Sequence, residues 1–193
     1  MQLIELETVD STNDEAKRRI ESGLIESRTV ITAREQSAGR GTRGRAWISP
    51  RDTGLYLTYV DPHPVSPAPT TTLTMAAAVA CSEALAAIGI EVGIRPVNDL
   101  VVEGRKLGGI LTETVIRGGA VCAIIVGVGL NLRRDERQVD EGALEAISLE
   151  DMLPAVPDAT VVRDAIVIHL PEWIDRSVDT EAVVAWYDAR RVE

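Results

Sequence analysis

The sequence has no phenylalanine, and three tryptophans and three tyrosines bring its aromatic content to only 3% of 193 residues. A core must therefore be built from alanine, valine, leucine and isoleucine, and an aromatic platform for single-stranded nucleic acid is excluded. Cysteine and histidine are also scarce, and Cys81, Cys122, His63 and His169 lie far apart in the chain. These residues form neither a zinc-binding spacing nor a disulfide framework, and we expect both thiols to be buried.

Positive charge is in short supply too, because 20 lysine and arginine residues stand against 30 aspartate and glutamate residues, a formal net charge of −10. Binding of bulk nucleic acid or of an anionic membrane needs a basic face, so both are disfavoured. The longest apolar run, 120–130, is far shorter than the roughly 18 to 20 residues that cross a bilayer. The acidic, alternating segment 1–7 does not have the pattern of a signal peptide. We therefore expect a cytoplasmic protein.

The cations that are present cluster in one short segment. Between Arg34 and Arg51 the chain has five arginines and a single acid, Glu35, which gives a local charge of 5 − 1 = +4. A cationic island in an acidic chain indicates a site for a compact anion such as a nucleotide phosphate. A solvated loop is the alternative that charge alone leaves open.

Hydrophobic periodicity predicts one α+β domain, with a mixed or largely antiparallel sheet and helices packed on it. Ser11 is placed to cap the first helix, with Asp14 as the acid of a capping box. Gly118 and Gly119 predict the turn of a hairpin between the last two strands, and a mobile acidic loop is expected beyond Asn131. The predicted strands are 2–8, 28–33, 54–60, 91–94, 100–102, 106–115 and 120–130, and the predicted helices are about 11–21, 70–88, 148–152, 160–173 and 180–190.

The segment Gly39–Gly44 has the pattern G-x-G-x-x-G, which is typical of dinucleotide-binding folds only where the third glycine opens a helix. Here the chain runs on through 45–50 toward another strand, so that interpretation is rejected, and no phosphate-binding G-x-x-x-x-G-K-[ST] motif is present. What remains is a loop whose backbone N–H groups and arginines can meet an anion. Such a loop can close over a nucleotide and become ordered when the ligand binds.

Five segments in order resemble the catalytic domain of biotin protein ligases. They are STN at 11–13, EQSAGRGTRGRAWISP at 35–50, NDL at 98–100, GRKLGGIL at 104–111 and GVGLNL at 127–132. The resemblance implies an ATP-dependent reaction in which biotin and ATP give biotinyl-5′-AMP and pyrophosphate. The biotinyl group then passes to a lysine of a biotin carboxyl carrier protein or domain, such as that of acetyl-CoA carboxylase.

The resemblance also implies roles for individual residues. Arg40 and Arg95 are the expected catalytic cations, and Mg²⁺ is expected to be carried by the phosphates rather than by a cluster of protein ligands. The expected biotin-binding residues are Ser11, Thr12, Asn13, Gln36, Arg40, Gly41, Thr42 and Arg95. The expected nucleotide-binding residues are Gly39, Arg40, Gly41, Arg43, Trp47, Lys106 and Asn131.

Simpler roles stay open for several of these residues. The segment 11–13 can be a helix cap only, Gln36 and Trp47 can be ordinary loop and core residues, Asn131 a turn residue, and Lys106 a solvated charge.

The sequence departs from the family pattern at three places. Arg95 stands where the family has a lysine that contacts the substrate carboxylate and phosphate, and a planar guanidinium does not replace an ammonium without rearrangement. Thr42 replaces a basic residue, which should loosen retention of the adenylate. A C-terminal SH3-like barrel and an N-terminal DNA-binding domain are both expected to be absent, which leaves one catalytic domain over 1–193.

Two other functions remain open. The chain can be a divergent module that binds biotin or another acyl group with weak ligation or none, or it can be a lipoate or octanoate ligase. A homodimer is possible in each case.

Overall fold

The computed structural model describes residues 1–64, 67–135 and 144–193, and its centre is one seven-stranded sheet. The strands lie in the order β1-β2-β3-β7-β6-β5-β4. Only β1 and β2 pair in parallel and all other neighbours are antiparallel, so the predicted mixed, largely antiparallel sheet is confirmed. The strands are β1 (Gln2–Leu6), β2 (Thr29–Ala33), β3 (Gly54–Asp61), β4 (Gly93–Arg95), β5 (Asp99–Val102), β6 (Arg105–Arg117) and β7 (Ala120–Asn131).

Helices make up the rest of the α+β fold. They are α1 (Thr12–Glu21), α2 (Thr70–Ala87), α3 (Leu149–Met152), α4 (Ala159–Arg176) and α5 (Thr180–Asp188), and a short 3₁₀ turn lies at Thr42–Gly44. Two predicted strands are placed slightly wrongly: the first ends at Leu6 rather than Thr8, and the one predicted at 91–94 begins at Gly93. The predicted mobile loop after Asn131 falls mainly on 136–143, outside the described residues.

The two faces of the sheet are covered unequally. On one face α2, α4 and α5 pack over a large apolar cluster that includes Leu57, Val128 and Trp173. On the other face α1 covers a small cluster in which Ala16 and Ile20 meet strand residues such as Ile125. Because α1 has only 10 residues, it covers one end of its face and leaves the other end to loops.

The central helix α2 is apolar on all sides. Its 18 residues have a mean hydropathy of 1.2, enough in length and composition alone to cross a membrane, but 61% of that stretch is buried inside the fold. Alanines at its contacts let α4 and α5 pack closely against it, as expected for the core helix of a globular domain.

The hairpin predicted around Gly118 and Gly119 is confirmed. Both glycines have positive φ, 58° and 83°, and they connect β6 to β7 over ten paired positions. Cys81 on α2 is fully buried as expected, but Cys122 near the start of β7 is half-buried, because strand residues close to the turn lie at the edge of the packed core.

Candidate ligand-binding site

The floor of a large cavity is formed by β7. Alternate residues of a strand share a face, so Ile125, Gly127, Gly129 and Asn131 all point toward the side of the sheet that α1 covers. A Cβ atom at position 127 would lie 2.5 Å from Asn13 Oδ1, and one at 129 would lie 2.5 Å from the indole ring of Trp47. The two glycines therefore leave room for side chains from elsewhere in the chain, beside a cavity of about 580 Å³.

The N-terminus of α1 forms one wall of the cavity. Ser11, Thr12 and Asn13 are all buried and all line it. Ser11 occupies the N-cap position, but its hydroxyl makes no capping hydrogen bond, and the predicted capping box with Asp14 is wrong. The physical reason is that the Asp14 carboxylate is bonded to the Arg40 guanidinium instead. The Ser11 hydroxyl is thus left facing the cavity rather than the helix.

Gln36 links α1 to the glycine-rich loop. Its Oε1 accepts hydrogen bonds from the Thr12 backbone N–H at 2.9 Å and from the Thr12 hydroxyl at 3.1 Å. Its Nε2 donates to Ser49 Oγ at 2.8 Å, which leaves one amide hydrogen for another acceptor. Since both ends of the amide are engaged, Gln36 is oriented before any ligand arrives.

Asn13 is held even more completely. Its Nδ2 donates to Leu111 O at 3.3 Å and to Glu113 Oε2 at 2.9 Å, which uses both amide hydrogens. Its Oδ1 accepts from the Thr58 hydroxyl at 2.7 Å. The remaining lone pair of Oδ1 and the fixed position of the amide above Gly127 are what this residue can offer to a ligand.

The predicted anion-binding loop lies over the other part of the floor, near Gly129. Trp47 packs over that glycine, and the Lys106 ammonium lies 5.5 Å from the centre of the indole ring. Lys106 also forms an ion pair with Asp99 at 2.7 Å. Gly39 is not one of the residues that line the cavity. A Cβ at this position would lie 2.3 Å from Trp47 O, so glycine here lets the two sides of the loop approach each other closely.

Cations dominate the charge of the lining. The described cavity wall carries five basic side chains and one carboxylate, that of Asp99. Two of the five, Arg40 and Lys106, form ion pairs with acids. The other three make no side-chain hydrogen bond or ion pair with any residue in the described part of the chain. These unpaired side chains are Arg43, Arg45 and Arg95.

Arg43 has an additional mark of a functional position. Its φ of 58° and ψ of 30° place it in the left-handed region, which an arginine adopts at an energetic cost. Glycine stands at 44, where φ is 75°, but not at 43. This backbone conformation and the exposed, unpaired side chain make Arg43 a candidate for contact with an anionic ligand.

Asn131 ends the floor. Its Nδ2 donates to the backbone oxygens of Lys106 and Ile147, at 3.3 and 3.2 Å, and so ties β7 to β6 and to the segment before α3. The cavity brings together all the predicted site residues except Gly39: Ser11, Thr12, Asn13, Gln36, Arg40, Gly41, Thr42, Arg43, Trp47, Arg95, Lys106 and Asn131.

Glu113 is the main residue that sequence reasoning missed. It lies on β6, on the same face as Leu111 and Val115, and its carboxylate is only 21% exposed. Burial raises the pKa of Glu113, but hydrogen bonds from Lys17, Asn13 and Arg40 outweigh burial and hold that pKa below its usual value. The available signal was a single acid in the otherwise uncharged stretch 107–116 of this strand.

Comparison with known proteins adds independent information. A model of the biotin/lipoate A/B protein ligase family matches residues 5–131. The bifunctional ligase/repressor BirA of Escherichia coli is 36% identical over 141 residues, which cover 71% of this chain and 43% of that protein. The chain thus spans less than half the length of this curated relative.

Two further relatives extend the match. The biotin–[acetyl-CoA-carboxylase] ligase of Paracoccus denitrificans is 34% identical over 173 residues, 87% of this chain and 71% of that protein. The crystal structure of a Leishmania major biotin protein ligase in complex with biotinyl-5-AMP superposes with a TM-score of 0.78 at 25% identity. That superposition covers 99% of this chain and 81% of the other.

Proposed function

Because the chain belongs to the biotin/lipoate A/B protein ligase family, we propose that it is an ATP-dependent biotin protein ligase. In the first step a biotin carboxylate oxygen attacks the α-phosphorus of ATP, and pyrophosphate leaves. In the second step the amine of a carrier lysine attacks the carbonyl carbon of biotinyl-5′-AMP, AMP leaves, and the amine loses a proton to solvent.

The observation that carries this proposal is the division of the cavity into two chemistries. Hydroxyl and amide groups of Ser11, Thr12 and Gln36 lie at the end near Gly127, where a neutral ureido group needs both donors and acceptors. Unpaired guanidinium groups lie along the rest of the wall, where a carboxylate and a triphosphate need positive charge. A ligand that is neutral and polar at one end and polyanionic at the other fits this order.

Arg95 is the cation best placed for the chemical step. It is the last residue of β4, it is exposed to the cavity, and no described acid neutralises it. A free guanidinium can bind two oxygens at once, which suits a carboxylate and a phosphate that must approach each other against their own repulsion. We assign Arg95 the role of holding these two anions together.

Magnesium would enter this site with the nucleotide. Among the described residues no group of three or more histidine, cysteine, aspartate or glutamate side chains could hold a metal ion. Asp99, which pairs with Lys106, and Asn131 both line the cavity, and so small a set of oxygen-bearing side chains fits an ion held mainly by phosphates. When bound, the ion would neutralise part of the phosphate charge.

The loop supports the intermediate by excluding water. Trp47 N–H donates to Gly39 O at 2.8 Å and Gly41 N–H donates to Arg45 O at 2.8 Å, so the two sides of the loop are hydrogen-bonded to each other beside the cavity. A mixed anhydride hydrolyses readily in water, and a closed loop protects it until the carrier lysine arrives.

The test is a biotin titration by calorimetry, with and without ATP and Mg²⁺, together with a pyrophosphate-release assay on the same samples. We expect biotin binding and pyrophosphate release. Biotin binding without pyrophosphate release would contradict the ligase proposal and favour a binding module. No biotin binding, with binding of lipoate or octanoate instead, would favour the other acyl ligases.

Two variants sharpen this test. Arg95→Ala should lower the rate of pyrophosphate release by about 100-fold, the usual cost of one charge-stabilising group. Arg51→Ala is the matched control, because Arg51 pairs with Glu7 and Glu35 and does not line the cavity. Arg95→Lys should stay within about tenfold of wild type. A rise of several orders of magnitude in Arg95→Lys would show that the natural chain is not tuned for ligation.

The proposal also covers the catalytic unit, the acceptor protein and the cellular compartment of the reaction. We propose that residues 1–193 act as one catalytic unit, that a biotin carboxyl carrier domain is the acceptor, and that the reaction takes place in the cytoplasm. An avidin blot after incubation with a purified carrier domain tests the acceptor. Sedimentation analysis tests whether a homodimer forms.

A further inference from the structure

The guanidinium of Arg40 is bound by two carboxylates from different elements. Nε and Nη2 donate to Asp14 of α1 at 3.0 and 2.6 Å. Nη1 and Nη2 donate to Glu113 of β6 at 3.0 to 3.3 Å. Arg40 itself belongs to the loop between Gly39 and Gly41, so these bonds connect the loop to α1 and to the sheet at once.

Lys17 completes the cluster and balances its charge. Its ammonium lies 2.7 Å from Glu113 Oε1 and 3.6 Å from Asp14 Oδ1. Two cations therefore meet two carboxylates, and the cluster of Asp14, Lys17, Arg40 and Glu113 is neutral. A guanidinium neutralised in this way adds little to the binding of a polyanion, unlike the unpaired Arg43, Arg45 and Arg95.

Glu113 also connects the cluster to the neutral end of the cavity. The same carboxylate that receives Arg40 accepts a hydrogen bond from Asn13 Nδ2 at 2.9 Å. A substitution that breaks the bond between Glu113 and Arg40 is therefore expected to disturb the bond between Glu113 and Asn13, and the reverse holds too. Glu113 thus helps to position both the loop and the Asn13 amide above Gly127.

We propose that Arg40 is a positioning residue. Through its ion pairs with Asp14 and Glu113 it fastens the glycine-rich loop to α1 and β6. Gly41 lines the cavity, and the carbonyl of Gly39 accepts a hydrogen bond from the backbone N–H of Trp47, so fixing Arg40 between them holds this part of the loop beside the cavity. The consequence for adenylate retention rests on the proposed ligase function, whereas the fastening of the loop does not.

The first experiment measures loop opening in the protein without ligands. Trypsin cleaves after arginine, and the exposed Arg43 and Arg45 lie in the loop that Arg40 fastens. We expect cleavage at these two sites to rise about tenfold in Arg40→Gln and in Glu113→Gln, the change expected when a charge-assisted pair is lost. Because the Arg40–Glu113 pair is already lost in Arg40→Gln, adding Glu113→Gln to that variant should not raise cleavage in the loop further.

Arg18→Gln is the matched control. Arg18 also binds two carboxylates, Asp10 and Glu15, but it does not line the cavity. Its substitution should leave cleavage at Arg43 and Arg45 unchanged, and a cooperative thermal transition well above the assay temperature in every variant would show that all of them fold. Unchanged cleavage in Arg40→Gln and Glu113→Gln, with wild-type folding, would overturn the proposal.

The second experiment separates positioning from direct contact with phosphate. With biotin, ATP and Mg²⁺ but no carrier, Asp14→Asn loosens Arg40 without changing a residue of the cavity wall. This variant should release biotinyl-5′-AMP into solution about tenfold faster than wild type, while the first turnover of pyrophosphate stays within a few-fold. The same two measurements are then made on Arg40→Gln. A first turnover slowed by 100-fold or more, with normal cleavage at Arg43, would make Arg40 a phosphate ligand and overturn the proposal. If no variant forms the adenylate but cleavage rises as expected, the fastening stands and the ligase function fails.

Discussion

The two ends of the α1-facing side of the sheet are built on the same strand but serve opposite purposes. Toward the start of β7, Ala123 and Ile125 fill the space beneath Ala16 and Ile20, and the end is closed and apolar. Two and four residues beyond Ile125 the same face carries only glycine, at 127 and 129, and that end is open and polar.

The difference shows how this fold makes a cavity. The backbone of β7 keeps its pairing with β3 and β6 through both regions, so the strand is not bent or broken to make room. The room comes from side chains that are missing, and polar side chains brought from α1 and the loop occupy part of it. The closed end stabilises the domain, whereas the open end holds its polar groups ready for a ligand.

The largest effect should come from closing the open end. Gly127→Val places a branched side chain where Asn13 lies 2.5 Å from the new Cβ, which displaces the amide and its hydrogen bonds to Leu111 and Glu113. We expect biotin binding to weaken by at least about 100-fold in a calorimetric titration, since overpacking costs are of this order.

A matched change in the closed end gives the control for that comparison. Ile125→Val removes one methylene from the apolar cluster and should lower the free energy of unfolding by about 1 kcal/mol without changing biotin affinity. Equal loss of affinity in both variants would show that the two ends are not functionally distinct.

The next effect separates two glycines of the loop. Gly39→Ala places a Cβ 2.3 Å from Trp47 O and should destabilise the loop and the fold, whereas a Cβ at Gly41 has its nearest contact at 3.5 Å. Gly41→Ala should therefore fold normally but slow adenylate formation by about tenfold, because the added methyl group occupies space beside the ligand. Thermal unfolding and pyrophosphate release together test this pair, and normal activity in Gly41→Ala would contradict it.

Much of this arrangement could be predicted from the sequence. Alternation and turn residues predicted the strands of the sheet within a few residues, and the ordered motifs predicted a common site for Ser11, Gln36, Arg40 and Asn131, which all line the cavity. Local patterns suffice where a strand or helix is set by its own residues and by burial of one face. The family match then confirms the resemblance that these motifs indicated.

The interactions that hold the site could not be predicted in the same way. Arg40 and Glu113 are 73 residues apart, and Asn13 and Glu113 are 100 apart, so their pairing depends on the packing of α1 and the loop on β6. The wrong capping box at Ser11 has the same origin. Asp14 had two possible partners, the N-terminus of its own helix and a distant arginine, and only tertiary structure decides between them.

A smaller effect is expected at Thr42, which lines the cavity at a position where the family resemblance leads us to expect a basic residue. Thr42→Arg adds a fourth potentially unpaired cation beside Arg43, Arg45 and Arg95, and we expect the released fraction of biotinyl-5′-AMP to fall a few-fold in the absence of carrier. Thr42→Gln adds length without charge and is the control. If both substitutions retain the adenylate equally well, side-chain size rather than charge is responsible.

The smallest effect is expected from lowering the pH until Glu113 is protonated. Glu113 lies at the junction between the closed and the open end, where it faces Lys17 and Asp14 of α1 and Arg40 of the loop. Its pKa is lowered in the folded protein, so its contribution to stability is present above the unfolded pKa of about 4.3 and is lost as the pH falls through the folded pKa. Thermal midpoints measured from pH 7 to pH 3 should therefore drop further in the wild type than in Glu113→Gln, whose side chain has no carboxylate to protonate. Parallel curves for the two proteins would show that Glu113 is not ionised in these contacts, and the junction would then be held by neutral hydrogen bonds alone.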